Sequence, residues 1–149
     1  FREQRRLFDD PICELNIGVF ENVITVQQQA RLSEVLDLLE LHGIGSVPIV
    51  DENSRVINIY SRSDITFLAT AADPDSVLKN LDSKLVDILS QPGNEHMRDS
   101  LVTCSPFDTL QTIFERFAEV KFKRIVCVDE NFCCKGIISV SDLLSYFLN

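Results

Sequence analysis

The stretch Ile57–Ala69, INIYSRSDITFLA, has a second version later in the chain, Lys135–Phe147, KGIISVSDLLSYF. Each version begins with the apolar residues of a β-strand, continues with Ser-x-x-Asp and ends in the apolar spacing of a helix. The aspartates of the two motifs are Asp64 and Asp142, so the offset between the versions is 142 − 64 = 78. The same strand-to-helix junction therefore occurs twice in the sequence, which indicates an internal repeat.

The same offset extends upstream of the junction without a gap. Val50–Asn53 aligns with Val128–Asn131, and both read VDEN. Each copy has the element order β-α-β-β-α, so the predicted fold class is α/β. Because such a unit leaves one face of its sheet bare, we expect the copies to pack sheet against sheet around a pseudo-twofold axis. The predicted segments are a leading helix or linker over 1–16, a first repeat over 17–72, a linker with the leading helix of the second repeat over 73–96, and a second repeat over 97–149.

Several elements are predicted from local signals. In the first repeat they are strands over 23–26, 47–50 and 56–60 and a helix over 31–42. Pro48 places its strand at a sheet edge or at a strand start. Asp73-Pro74 is interpreted as the mark of a linker over 71–80, followed by a helix over 81–89. A further helix is expected over 1–13.

Composition limits the class of protein. The chain has 149 residues, 45% of them hydrophobic, and a mean hydropathy of +0.07, so we expect a packed core. A net charge of −9 argues against binding to a nucleic acid, whose phosphates an acidic surface repels. No apolar run approaches the ~20 residues of a membrane span, so no membrane partner is expected. Because the first residue is Phe1, we interpret the chain as a piece of a longer protein.

The cysteines and histidines argue against a metal site and against catalysis. Five cysteines, mostly on apolar strands, suit reduced thiols, so a cytoplasmic location is expected, with the nucleus as a second compartment. Cys133 and Cys134 are adjacent, which is not the Cys-x-x-Cys spacing of a zinc site. The chain has no Gly-rich phosphate loop and no nucleophile–histidine set, so we expect neither a catalytic residue nor a catalytic cofactor.

The repeated Ser-x-x-Asp motif suggests ligand binding. Free backbone N–H groups point outward where a strand ends and a helix begins, and ligands gather there. A carboxylate at that place, Asp64 or Asp142, can accept hydrogen bonds from the vicinal hydroxyls of a ribose. The serines of the motifs, Ser61 and Ser139, can donate a further bond. The alternative is that serine and aspartate act only as helix caps.

A second signal differs between the repeats. The offset that relates Asp64 to Asp142 also aligns Gly45-Ser46 with Lys123-Arg124, and both pairs precede a hairpin strand. The two cations are candidates for a phosphate clamp, in which the guanidinium of Arg124 binds two oxygens. The alternative is a solvated basic patch.

With these features the sequence resembles a tandem of CBS domains, the Bateman module. The segments 44–69, IGSVPIVDENSRVINIYSRSDITFLA, and 123–147, KRIVCVDENFCCKGIISVSDLLSYF, are similar to the third and fourth repeats of the γ subunits of AMP-activated protein kinase. Members of that family bind AMP, ADP or ATP reversibly without catalysis. The resemblance implies partners of three kinds: adenine nucleotides, the catalytic α and the β subunits of the kinase, and a first CBS pair elsewhere in the same chain.

The resemblance also implies two nucleotide sites. The first would use the motif residues Ser61, Arg62, Ser63 and Asp64, with Val102 at the base and Lys123 and Arg124 at the phosphate. The second would use the motif residues Ser139, Val140, Ser141 and Asp142, with Val19, Ile24, Ile44 and Gly45 around the base and phosphate.

This sequence departs from the family pattern at three of these positions. Lys123 stands where the family has histidine, and Val19 and Gly45 stand where it often has a hydroxyl residue. We therefore expect the first site to be the stronger one. Two alternatives remain open: a CBS pair that serves only for interaction or homodimerisation, and a CBS pair that regulates a transporter or metabolic enzyme through another adenosyl ligand such as S-adenosylmethionine.

Overall fold

The computed structural model describes residues 8–97, 101–120 and 124–148. They fall into two compact units. The first-repeat unit contains the described residues of 24–101, and the second-repeat unit contains those of 1–23 and 102–149.

The first-repeat unit is one sheet covered by helices. Its elements are β1 (Val26–Gln27), α1 (Leu32–Leu41), β2 (Ser46–Val50), β3 (Val56–Ser61), α2 (Arg62–Ala69), α3 (Pro74–Asp82) and α4 (Leu85–Leu89). The strand order is β1-β2-β3, with β1 parallel and β3 antiparallel to β2. Leu32, Val35 and Leu39 of α1 are fully buried against the sheet, as their spacing along one helix face predicts.

The second-repeat unit has the same plan. Its elements are β4 (Thr103–Cys104), α5 (Leu110–Val120), β5 (Arg124–Val128), β6 (Cys134–Ser139) and α6 (Val140–Leu148). The strand order β4-β5-β6 repeats the parallel and antiparallel pairings of the first sheet. The predicted order β-α-β-β-α is therefore present in both repeats.

The sheet-edge or strand-start position expected from Pro48 is wrong, because Pro48 is the third residue of β2, the central strand of its sheet. It pairs with Ile59 of β3, whereas β1 reaches only Ile49 and Val50 on the other side. A proline lacks the N–H that would bond to a neighbouring strand. Pro48 is tolerated because β1 does not extend to its level, so no hydrogen bond to β1 is lost there.

The linker predicted over 71–80 is wrong for most of its length, because α3 begins at Pro74. The Asp73 carboxylate accepts a 2.9 Å hydrogen bond from the backbone N–H of Ser76, and proline at the first helical position needs no N–H partner. The helix predicted over 81–89 is divided at Ser83-Lys84 into the end of α3 and the short α4. The strand predicted over 23–26 begins only at Val26.

In each unit, a segment that precedes a repeat in sequence bonds to the loop before the first helix of the unit. In the first-repeat unit the N–H of Leu85 donates to the carbonyl of Ala30 at 2.8 Å. In the second-repeat unit the N–H of Ile12 donates at 2.7 Å to the carbonyl of Asp108, which is the repeat equivalent of Ala30. Residues 12–14 form a single 3₁₀ turn there. Of the helix expected over 1–13, residues 1–7 lie outside the described residues, and residues 8–10 form a turn and a bend.

Within the described ranges, no helix is both long enough and apolar enough to cross a membrane.

Candidate functional site

Ser61 and Asp64 form a reciprocal cap at the start of α2. The Asp64 Oδ2 accepts a 2.9 Å hydrogen bond from the N–H of Ser61, and the Asp64 N–H donates to the Ser61 Oγ at 3.1 Å. The Ser63 Oγ lies 2.8 Å from the Ser61 Oγ. This capping box ends β3 and begins α2 within one residue, so the carboxylate is fixed in position by local sequence alone.

The second motif has the same geometry at the start of α6. The Asp142 Oδ2 accepts a 2.8 Å bond from the N–H of Ser139, and the Asp142 N–H donates to the Ser139 Oγ at 3.0 Å. Val140 and Ser141, which complete the motif, are exposed. Both motifs therefore act as helix caps, and ligand binding must be judged from the side-chain atoms that the caps do not use.

Each cap uses one carboxylate oxygen. Among the described residues, the Oδ1 of Asp64 and the Oδ1 of Asp142 accept no hydrogen bond from the protein. Both side chains are half-buried. Each motif therefore presents one immobilised carboxylate oxygen that can accept a bond from a ligand hydroxyl.

A cavity of about 360 Å³ adjoins the first carboxylate. Its lining residues are Tyr60, Ser63, Asp64, Phe67, His96 and Met97. The rings of Phe67 and His96 meet edge to face with centroids 6.1 Å apart. The sequence analysis missed Phe67, His96 and Met97. Phe67 could have been found, because it lies three residues after Asp64 on the same helix face, whereas residues 96–97 reach this place only through a tertiary contact.

That tertiary contact is made by two buried polar side chains of β3. The Tyr60 hydroxyl donates to the carbonyl of Met97 at 2.7 Å, and the Asn58 Nδ2 donates to the Tyr60 oxygen at 2.8 Å. Burial raises the pKa of Tyr60, and the nearby carboxylate of Asp64 raises it further. Tyr60 is therefore a neutral wall of the cavity rather than an acid or base.

Of the two predicted phosphate-binding cations, Arg124 is described and Lys123 lies outside the described residues. Arg124 is half-buried at the start of β5, where it is the register partner of Ser139 in β6. It forms no ion pair with any residue in the described ranges. No acidic side chain in the described part of the chain therefore neutralises the charge of Arg124.

The remaining predicted residues are divided between the units. Val19 exchanges two 2.9 Å backbone hydrogen bonds with Ile137 of β6, and the carbonyl of Val102 accepts from Val126 of β5 at 3.0 Å. These two residues therefore lie in the second-repeat unit. In the first-repeat unit, the carbonyl of Gly45 accepts a 3.0 Å bond from the N–H of Arg62.

Each unit contains seven of the predicted site residues that the structure describes. The second-repeat unit contains Val19, Val102, Arg124, Ser139, Val140, Ser141 and Asp142. The first-repeat unit contains Ile24, Ile44, Gly45, Ser61, Arg62, Ser63 and Asp64. Ile24 and Ile44 pack against the core of that unit. The combination of residues from the two repeats in one site stays a prediction.

In the part of the chain that the structure describes, no three histidine, cysteine, aspartate or glutamate side chains are grouped closely enough to hold a metal ion.

Comparison with known sequences identifies the repeats. A protein-family model described as CBS domain matches the chain twice, over residues 16–69 and 94–149. The chain is also similar to the 5'-AMP-activated protein kinase subunit gamma of Dictyostelium discoideum, with 34% identity over 150 aligned residues that cover 97% of this chain and 25% of the relative. The chain therefore spans about a quarter of that relative's length. The predicted resemblance to γ subunits is confirmed.

Comparison with solved structures gives the same fold. The chain is similar to CBSX2 in complex with AMP, with a TM-score of 0.70, 18% identity and coverage of 93% of this chain and 96% of that chain. It is also similar to the CBS domain pair of protein MJ0100 in complex with 5-methylthioadenosine and S-adenosyl-L-methionine, with a TM-score of 0.66, 17% identity and coverage of 92% and 94%. With the two three-stranded sheets, these matches confirm the predicted α/β fold.

Proposed function

Because the chain belongs to the CBS domain family, we propose that it is a regulatory module of the AMP-activated protein kinase γ type, which binds AMP, ADP or ATP reversibly and catalyses no reaction. Nucleotide binding would shift the conformational equilibrium of the assembly toward the state that binds the nucleotide more tightly. The module covers a quarter of its γ-subunit relative, so its partners are also proposals. We propose the kinase α and β subunits and a further CBS pair of the same chain. The proposed location is the cytoplasm, with the nucleus as a second compartment.

The observation that carries this proposal is the half-used carboxylate at the start of α2. The capping box occupies the Asp64 Oδ2 and fixes the side chain, while the Oδ1 accepts no bond from the described residues. A fixed acceptor beside a cavity of about 360 Å³ suits the vicinal hydroxyls of a ribose, which donate two hydrogen bonds. The volume lies in the range of about 300–1,000 Å³ that small-molecule sites have.

A nucleotide also needs a counter-charge for its phosphate. The chain carries a net charge of −9, so a phosphate binds only where cations are concentrated locally. We assign that role to Arg124 and its neighbour Lys123. Arg124 supports the assignment because it forms no ion pair within the described residues.

Titration calorimetry tests the proposal with a variant that preserves the cap. Asp64→Asn retains one side-chain oxygen for the N–H of Ser61 but presents an amide donor to the ligand where the ribose needs an acceptor. We expect AMP to bind the parent chain and to bind the variant at least tenfold more weakly, since a hydrogen bond to a charged group contributes about 1.5–3 kcal/mol.

The matched control is Asp73→Asn. Asp73 caps α3 in the same unit, and the exchange removes the same charge while keeping a capping side chain. AMP affinity should be unchanged in this control. Equal AMP affinity for Asp64→Asn and the parent chain would refute the assignment of Asp64. If S-adenosylmethionine binds and AMP does not, the module belongs with the adenosyl-ligand alternative instead.

A further inference from the structure

The second-repeat unit contains a cleft of about 1010 Å³ that the nucleotide proposal does not use. It lies where the parallel strands β4 and β5 end, beside the loop 105–108 and the hairpin turn 129–132. Ligand sites in α/β layers gather at the carboxyl ends of parallel strands. The volume is at the upper end of the range of about 300–1,000 Å³ for small-molecule sites.

The cleft lies at the opposite end of the sheet from the Ser-x-x-Asp motif of its unit. In the β5–β6 hairpin, Ser139 pairs with Arg124 at the start of β5, whereas Val128 at the end of β5 pairs with Cys134. Four residue steps along a strand separate these ends by roughly 13 Å. The cleft and the Asp142 carboxylate are therefore separate places on one unit.

The walls of the cleft are largely apolar. Three phenylalanine side chains line it, Phe20, Phe107 and Phe132, and Phe107 and Phe132 are exposed to solvent. The floor includes Cys104, whose pKa is raised by its hydrogen bond to Cys127 and by burial, so that its thiol is neutral. An exposed group of phenyl rings in a concave site favours an apolar ligand body.

Three acidic residues line the cleft: Glu130, which is exposed on the hairpin turn, and Asp108 and Asp129, whose carboxylates are already satisfied. The Asp108 Oδ2 accepts from the N–H of Ser105 at 2.8 Å and from the Arg116 Nη1 at 3.0 Å. The Asp129 Oδ1 accepts from two backbone N–H groups at 2.9 Å, and its Oδ2 lies 3.6 Å from the Lys135 Nζ. Neither Asp108 nor Asp129 therefore needs a cation from outside the protein.

The two cationic side chains of the cleft, Arg116 and Lys135, have hydrogen-bond donors without a partner among the described residues. Arg116 uses its Nη1 for both Asp108 and the carbonyl of Thr103, so its Nε and Nη2 donate to no described residue. Lys135 is more than half exposed and has one ion-pair partner among the described residues. A guanidinium carries five donors and an ammonium three, so Arg116 and Lys135 keep unused donors that can bind an anion.

We propose that this cleft is a second ligand site, which binds a small amphipathic anion: an apolar body against Phe20, Phe107 and Phe132, and a carboxylate or similar acidic group on Arg116 and Lys135. The site is separate from the Ser-x-x-Asp motif of its own unit and uses none of the residues assigned to the nucleotide.

The first repeat provides an internal comparison. The offset between the repeats aligns Arg116 with Leu38, Lys135 with Ile57, and Phe107 with Gln29. The first repeat thus lacks both cations at these positions. Its nearest equivalent is a cavity of about 290 Å³ beside α4, which is lined by Ile57 and has no charged lining residue. Only the second-repeat unit is therefore expected to bind the anion.

The probe for the test is dodecanoate, used below its aggregation concentration, with dodecan-1-ol as the uncharged analogue. We expect calorimetry to give saturable binding of one dodecanoate per chain and at least tenfold weaker binding of the alcohol. Lys135→Gln, at an exposed position, and Arg116→Gln should each weaken dodecanoate binding at least fivefold. Lys84→Gln, an exposed lysine in the first-repeat unit, is the matched control and should change nothing.

Amide chemical shifts locate the ligand and distinguish the two sites. Dodecanoate should shift the signals of residues 103–108 and 128–135, and saturating AMP should not displace it. Because Lys135→Gln alters an exposed side chain, its result stands even if Arg116→Gln fails to fold. Equal binding of acid and alcohol, no effect of Lys135→Gln, or displacement by AMP would each overturn the proposal, without bearing on whether AMP binds at Asp64.

Discussion

The hydroxyl of Tyr60 in β3 donates a 2.7 Å hydrogen bond to the backbone carbonyl of Met97, 37 residues further along the chain. Tyr60 is 1% exposed, so the bond is made in a protein interior. Tyr60→Phe should lower the free energy of unfolding by about 1–2 kcal/mol, because a buried polar contact is lost without a change in shape. Urea denaturation monitored by circular dichroism measures the change.

Tyr146→Phe is the matched control for this prediction. Tyr146 is half-buried in α6 and its hydroxyl makes no hydrogen bond to a described residue. Its removal should change the free energy of unfolding by no more than about 0.5 kcal/mol. Equal losses in the two variants would show that the bond to Met97 adds nothing to stability.

The same tyrosine predicts a loss of stability at alkaline pH. Burial, followed by the carboxylate of Asp64, raises the pKa of Tyr60 above its ordinary value. Above a pH of about 10 the tyrosine of the unfolded chain loses its proton while that of the folded chain keeps it, so unfolding becomes more favourable as pH rises. The stability advantage of the parent chain over Tyr60→Phe should therefore shrink between pH 9 and pH 11 in urea titrations. A constant difference across that range would contradict the assigned cause.

Gly18 connects the leading segment to the sheet of the second-repeat unit. Its φ is +86°, and a Cβ atom there would lie 2.6 Å from the carbonyl oxygen of Ile137. Gly18→Ala should destabilise the chain by about 2–4 kcal/mol, because backbone strain and a clash with β6 act together. Thermal denaturation gives the comparison.

The variant Gly93→Ala measures the cost of a positive φ in the absence of a steric clash. Gly93 has a similar φ of +95°, but a Cβ atom there would have no atom within 4 Å. Its substitution should cost only the strain of the left-handed backbone, about 1–2 kcal/mol. If both variants lose the same stability, the contact between Gly18 and β6 is not what requires glycine.

Features set by neighbours in sequence could be predicted, and features set by tertiary pairing could not. The capping boxes of Ser61 and Asp64 and of Ser139 and Asp142 depend on four consecutive residues, so the motif alone locates both carboxylates. The helix that begins at Pro74 is also signalled locally, by aspartate before proline, but that pair is equally typical of a linker.

The segments that bond to the loop before the first helix of each unit could not be predicted. The leading segment around Ile12 bonds to Asp108 of the second-repeat unit, far away in sequence, and no local pattern indicates that partner. For the same reason the sequence alone places Val19 in the first repeat, although it pairs with Ile137. His96 and Met97 reach the cavity beside Asp64 through tertiary contacts, among them the hydrogen bonds from Tyr60 and Asn58 to the carbonyl of Met97.

Arg124 should act on the phosphate of a nucleotide and not on its base. Arg124→Gln is therefore expected to weaken AMP binding by about tenfold and to leave the affinity for adenosine unchanged, since one charge-assisted contact is lost. Calorimetry with the two ligands gives the comparison. Arg55→Gln, an exposed arginine of the first-repeat hairpin, is the control. Equal losses for AMP and adenosine would place Arg124 away from the phosphate.

The most direct test of the nucleotide proposal is a crystal structure of this chain grown with AMP. The account predicts density for the ribose with its hydroxyls within hydrogen-bond distance of the Asp64 Oδ1, while the Oδ2 keeps its bond to the N–H of Ser61. It also predicts the phosphate beside Arg124. A map at high AMP concentration in which both aspartates serve only their helix caps, with no nucleotide at either, would contradict it.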